Sequence, residues 1–324
     1  MKRQRRPITA ERPPSPPPSQ VERRLRNLEV TVVRRLDGLL QGDYRGATFG
    51  PGSEPGEGRE YRAGDDVRRM DWKLTARVGT PYVRDTVADR ELEIWFVLDR
   101  SASLDFGTAR FLKRELVAGS VAAFGFLGAR NGSRVGAVLF GDGPLRALPA
   151  RAGRTSVRRV LTNVASPSPE HRGRAPGLAE ALQLTQRLAR RRGVVVVVSD
   201  FLVEHRWERP LRGLRKGHEL IAVEVLDPRE LDLPAVGSMV VLDPETGREL
   251  EVRMSRALRA TYAEQTALHR QAVADGLRSA GSDHLVLRTD SDWIREIAGF
   301  MRRRRRTAWL ATTGGRPAAG NGPA

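Results

Sequence analysis

The chain contains no cysteine. A disulfide framework, a thiol nucleophile, a zinc ribbon and a cysteine-ligated iron–sulfur cluster are therefore impossible. Long apolar runs are missing as well. The longest uncharged stretch runs from Leu116 to Ala129, fourteen residues, whereas a membrane-spanning helix needs about twenty. The N-terminus is basic but leads into Pro13, Pro14, Pro16, Pro17 and Pro18, with no apolar segment of the kind a secretory signal requires. Lysine is scarce too, at four of the 56 basic residues. An arginine excess of that kind can come from GC-rich coding as easily as from phosphate binding. These absences point to a cytoplasmic protein.

What is present suits a globular protein. The 324 residues are 40 % hydrophobic and 29 % charged, an ordinary balance for a packed domain. The formal net charge of +17 is concentrated at the ends. Residues 1–36 contribute +7 and residues 301–324 contribute +6, leaving +4 for everything between. A nucleic-acid-binding domain is expected to carry its charge on a folded face, so the ends argue for tails rather than for such a domain.

The hydrophobic pattern divides the chain into four stretches. Residues 1–20 read as a disordered, basic, proline-rich tail. Residues 21–90 form an N-terminal segment, opening on a helix over 21–40 with Val21, Leu25, Leu28, Val32, Leu36 and Leu39 on one stripe. Residues 91–300 alternate apolar strands and helices. Strands are expected at 92–98, 134–140, 194–198, 219–226 and 284–287, and helices at 108–130, 155–164, 177–192, 207–216, 256–279 and 292–303. Gly141-Asp142-Gly143 turns the second strand, and Leu145 to Pro149 is expected to pair with it as a hairpin. A further hairpin at 239–252 interrupts the series, and residues 301–324 read as a second disordered basic tail. Near-continuous apolar strands such as Val194 to Val198 belong to a parallel sheet covered on both faces. The expected fold is α/β, with a mostly parallel sheet.

In such sheets ligands bind beyond the carboxyl ends of the strands. Two strands end in aspartate there, giving Asp99-Arg100-Ser101-Ala102-Ser103 and Ser199-Asp200. A carboxylate and two hydroxyls on alternate residues of a tight loop suit a hard divalent cation, Mg²⁺ or Mn²⁺. The same residues also suit the capping of the following helix. The arrangement resembles the von Willebrand factor A fold and its metal-ion-dependent adhesion site. The resemblance assigns the metal to Asp99, Ser101, Ser103 and Asp200, with Thr155 as the candidate threonine and Ser156 as its alternative.

A second block lies upstream. Tyr61, Gly64, Asp65, Asp66, Arg68, Asp71, Trp72 and Arg77 resemble the motif of the DUF58 family, with Met70 where isoleucine is usual. The resemblance covers about residues 40–250. The charged members of the block can bond around Trp72 and hold the N-terminal segment to the sheet, or they can form a partner-binding surface. Many members of that family carry two N-terminal transmembrane helices, so this chain resembles the soluble subgroup. Membership implies a partnership with a MoxR-type AAA+ ATPase in chaperone-like assembly or maturation of client complexes.

The expected function is thus a non-enzymatic, Mg²⁺-dependent protein-interaction module. The alternative is a nucleic-acid or anionic-membrane binder that uses the basic tails, with peripheral membrane contact through Arg302 to Arg306. A metal-dependent phosphohydrolase would need further acids and a general base near Asp99 and Asp200. There is no Walker A sequence, no His-Glu-x-x-His and no Gly-x-Ser-x-Gly.

Overall fold

A computed structural model describes residues 20–40, 58–61, 70–84, 92–166, 175–202, 206–242 and 249–313. Helix α1 (Gln20–Leu39) precedes a small two-stranded sheet of β1 (Gly58–Glu60) and β2 (Tyr82–Arg84), with α2 (Trp72–Val78) between them. The main sheet begins at β3 (Glu93–Asp99) and continues through α3 (Lys113–Arg130), β4 (Arg134–Phe140), β5 (Arg146–Ala152), α4 (Arg154–Ala165), α5 (Leu178–Leu188), β6 (Gly193–Ser199), α6 (Glu208–Leu214) and β7 (His218–Leu226). A hairpin of β8 (Ser238–Leu242) and β9 (Glu249–Arg253) follows, then α7 (Arg256–Ala280), β10 (Asp283–Arg288) and α8 (Trp293–Thr313).

The six main strands lie in the order β10-β7-β6-β3-β4-β5. All neighbours pair in parallel except β4 and β5, which are antiparallel. This is a doubly wound, Rossmann-like sheet with one antiparallel edge. Strand alternation explains its two cores. Ile94, Phe96 and Leu98 of β3 join Val194, Val196 and Val198 of β6 on the face covered by α1, α3, α4 and α8. Trp95 and Val97 join Val195 and Val197 on the opposite face, under α5, α6 and α7. Each buried valine contributes about 1.5–3 kcal/mol, so the five-valine strand is anchored from both sides.

The helix expected over 177–192 ends at Leu188, and two further boundaries differ from the expected ones. The helix expected from residue 108 starts at Lys113, because the preceding loop is tied elsewhere. Thr108 donates from its backbone N–H and its hydroxyl to Asp227, at 2.7 and 2.6 Å. The tail expected from residue 301 is helical as far as Thr313. Arg304 pairs with Glu219 and, at 2.6 Å, with Asp283, so part of the arginine run belongs to the body of the domain. Residues 1–19 and 314–324 lie outside the described residues. Among the described residues, no helix is long and apolar enough to cross a membrane.

The strand-end carboxylate site

The order of strands reverses between β3 and β6, which are neighbours in the sheet. Their carboxyl ends flank the switch-point crevice where doubly wound folds bind ligands. Asp99 closes β3 and Asp200 directly follows β6, each 2 % exposed. The sharp turn after β6 is set by Phe201, a non-glycine residue at φ 54°. Its backbone N–H donates to the Ser199 hydroxyl at 3.0 Å, and its buried ring meets Trp207 edge to face at 5.4 Å. A bulky residue in the left-handed region is rare and marks a constrained turn.

Four oxygens form a chain across the crevice. The Ser101 hydroxyl donates to Asp99 Oδ1 at 2.7 Å, and the Ser101 and Ser103 hydroxyl oxygens lie 3.0 Å apart. The Ser103 hydroxyl donates to Asp200 Oδ2 at 2.8 Å. Asp99 also accepts from the Ser101 backbone N–H at 2.9 Å and, through Oδ2, from the Ser199 hydroxyl at 2.6 Å. Burial, and then the charge of Asp200, push the Asp99 carboxyl up to about 6, although the Ser199 and Ser101 donors pull the other way.

Gly141, at the end of β4, makes room for this loop. Its φ is +98°, and an added Cβ would stand 2.8 Å from Ser101 N and 3.0 Å from Asp99 Oδ1. Arg100 is turned away from the crevice, pairing with Asp142 at 3.0 Å and donating to the Ser166 carbonyl at 2.7 Å.

The sequence reading missed Lys113. It is fully buried in the first turn of α3, and its ammonium donates to Asp200 Oδ2 at 2.8 Å and to Glu230 Oε1 at 2.5 Å. Desolvation pulls the Lys113 pKa down, but the charges and hydrogen bonds of Asp200 and Glu230 outweigh it and leave it above the ordinary lysine value. Burial raises the Glu230 carboxyl. No local pattern marks Lys113 or Glu230. The available signal was that Lys113 is one of only four lysines and stands just before the uncharged run from Leu116 to Ala129.

A third strand-end acid, Asp227, follows β7. It accepts from Thr108, from the Thr289 hydroxyl at 2.6 Å and from the Arg229 backbone N–H at 2.9 Å. Burial alone would raise its pKa, but these hydrogen bonds hold it below the usual carboxylate value. Its role is to tie the loop before α3 to the ends of β7 and β10.

The structure thus gathers Asp99, Ser101, Ser103 and Asp200 and leaves Thr155 out. Strand β5 runs antiparallel, so its last residue, Ala152, pairs with Arg134 at the amino end of β4. Thr155 and Ser156 begin α4 at that far edge, where the Ser156 hydroxyl donates to the Val135 carbonyl at 2.7 Å. The seven residues of β4 separate them from the crevice by about 20 Å.

In the upstream block, Asp71 caps α2, accepting from the Leu74 N–H at 3.2 Å, and Trp72 is 67 % exposed. Tyr61 is half-buried, with its N–H donating to the Pro81 carbonyl at 2.8 Å, and Arg77 is exposed. Gly64, Asp65, Asp66 and Arg68 lie outside the described residues.

The donor set fits a hard cation. Each serine hydroxyl has one proton and two lone pairs, and in the 3.0 Å contact between them either oxygen can be the donor. Adjacent ligands of an octahedral Mg²⁺ stand about 2.9 Å apart when each is about 2.05 Å from the ion, close to the 2.7, 3.0 and 2.8 Å steps of the chain. Among the described residues there is no cluster of three or more His, Cys, Asp or Glu side chains that could hold a metal, so hydroxyls would have to supply part of any coordination shell.

Comparison with known proteins adds a family. The profile described as "Protein of unknown function DUF58" matches residues 57–272. Uncharacterized proteins of Mycobacterium tuberculosis and Mycobacterium bovis are 48 % identical over 284 residues, covering 88 % of this chain and 90 % of theirs. Among solved structures, the conserved hypothetical protein BatB from Bacteroides thetaiotaomicron matches at 16 % identity with a TM-score of 0.42, covering 67 % of this chain and 99 % of that one. A von Willebrand factor type A protein from Catenulispora acidiphila matches at 10 % identity with a TM-score of 0.35, covering 70 % and 44 %.

Proposed function

This chain belongs to the DUF58 family, and on that premise we propose that it is a non-enzymatic protein-docking module whose strand-end site takes Mg²⁺ or Mn²⁺. The observation that carries the reading is the pair of facing hydroxyls, Ser101 and Ser103, held 3.0 Å apart between two buried aspartates. Asp99 and Asp200 orient the hydroxyls by accepting their protons, and Asp99 is itself fixed by Ser199 and the Ser101 N–H. When bound, the cation would neutralise the buried carboxylates and offer an open coordination position to an acidic group of a partner.

Ser101 and Ser103 are partly exposed whereas the aspartates are buried. A partner would therefore meet the hydroxyl side of the site. Among the described residues, His269 bonds to the Phe201 carbonyl, and His284 pairs with Glu224, another buried carboxylate. The partner proposed is a MoxR-type AAA+ ATPase or a client that it remodels. The resemblance of the upstream block to the DUF58 motif supports that choice of partner.

Thermal unfolding in EDTA and in millimolar Mg²⁺, beside Asp99→Ala, tests the metal. A ligand held a hundredfold above its Kd stabilises the native state by about 2.7 kcal/mol, several degrees for a chain of this size. The reading requires that rise in the wild type and its loss in Asp99→Ala. A wild-type melting temperature indifferent to Mg²⁺ and to Mn²⁺ would remove it. Co-purification with the ATPase, compared between wild type and Ser103→Ala, tests the partner.

A further inference from the structure

We propose that Lys113 is the resident counter-cation of the strand-end site, holding Asp200 in place so that the four oxygens stay gathered when no divalent ion is bound. The residue is hard to explain otherwise. It sits at the first position of α3, where the helix dipole disfavours a cation. It is fully buried, where an unpaired ammonium would be strongly disfavoured. Both costs are met by two carboxylates from different parts of the chain, Asp200 after β6 and Glu230 in the turn after β7.

The choice of lysine matters in a chain whose basic residues are nearly all arginine. An ammonium is a compact point charge with three donors, and a planar guanidinium would need more room. Lys113 uses one donor on each carboxylate. Asp200 Oδ2 receives both Lys113 and Ser103, and Oδ1 receives the Leu202 N–H at 3.2 Å. The lysine therefore fixes the carboxylate that in turn aims the Ser103 hydroxyl.

The charges make the same point. Asp99, Asp200 and Glu230 bring three negative charges and Lys113 one positive charge. The remaining two match one divalent cation, and without the lysine three would face it. Lys113 therefore both positions the site and limits how strongly it attracts a metal. The second of these consequences rests on the cation-site reading above, whereas the first does not.

A metal-free double-mutant cycle on the full chain tests the positioning role. In EDTA, Lys113→Met should lower the melting temperature by several degrees, because Asp200 is left buried and unpaired. Adding Asp200→Asn should recover most of that loss. Independent, additive losses, or no loss in Lys113→Met, would overturn the proposal. If Lys113→Met alone does not fold, Lys113→Met is added to Asp200→Asn/Glu230→Gln, where no carboxylate is left unpaired: a folded triple variant supports the pairing, and a triple variant that also fails to fold would overturn it.

A Mn²⁺ titration followed by water-proton relaxation gives the second arm. Removing the resident charge should tighten Mn²⁺ binding by about tenfold or more. Unchanged or weaker Mn²⁺ binding would overturn the charge-limiting role, and the positioning role stands or falls on the metal-free cycle. No Mn²⁺ binding by the wild type would defeat the cation-site reading, and the metal-free cycle would still decide the role of Lys113.

Discussion

Asp99 carries the most consequential charge in the molecule. Its carboxyl titrates near 6 in the folded chain, against 3.8 when unperturbed. The native state thus binds more protons than the unfolded state between those values. Stability therefore falls as pH rises from about 4 to about 6 and stays reduced above that. The penalty is about 3 kcal/mol. Asp99→Asn should be more stable than the wild type in EDTA at neutral pH by up to that amount, with the advantage gone near pH 4. Urea unfolding at a series of pH values measures it, and equal pH profiles for the two proteins would refute the assignment. Gly141 is the second sensitive position. Gly141→Ala places a Cβ against Ser101 N and Asp99 Oδ1 in a backbone conformation that alanine resists. A loss of about 1–3 kcal/mol is expected, together with loss of the Mg²⁺ response, read by thermal unfolding with and without the ion.

At the scale of elements, helices and strands are positioned by a few ties that no local pattern announces. Asp227 draws the loop before α3 onto the ends of β7 and β10, and that tie delays the helix until Lys113 faces the site. Arg304, midway along α8, ties the helix to Asp283 and Glu219. Upstream of it, Ile294, Ile297, Ala298 and Met301 are buried in the core. Arg304→Ala should cost about 1 kcal/mol and the cost should shrink in high salt, because the acids are partly exposed. Chemical denaturation at low and high ionic strength checks it, and a loss unaffected by salt would mean that packing of the arginine stem, and not its charge, fixes the helix. The hairpin of β8 and β9 stands apart from the main sheet and exposes Val240, Val241 and Leu250.

At the scale of the whole molecule, the sheet decides which residues can cooperate. The reversal of strand order sets Asp99 beside Asp200, about a hundred residues apart in sequence, and the antiparallel edge strand sends Thr155 to the opposite rim. Thr155→Ala should therefore leave the Mg²⁺-dependent rise in melting temperature unchanged, whereas Ser103→Ala should reduce it. A loss in Thr155→Ala equal to that in Ser103→Ala would contradict the topology. The strands and most helices follow from the order of residues alone, because burial on two faces demands runs such as Val194 to Val198, and an amphipathic helix must repeat its apolar stripe. So does the loop from Asp99 to Ser103, since its hydroxyls and carboxylate lie within five consecutive residues. The antiparallel direction of β5 follows from the short turn at Gly141-Asp142-Gly143, since parallel strands need a long crossover. The placing of Thr155, Lys113 and Glu230 depends instead on how distant strands are ordered in the sheet. A buried ammonium likewise reveals its partners only when distant strand ends are brought together.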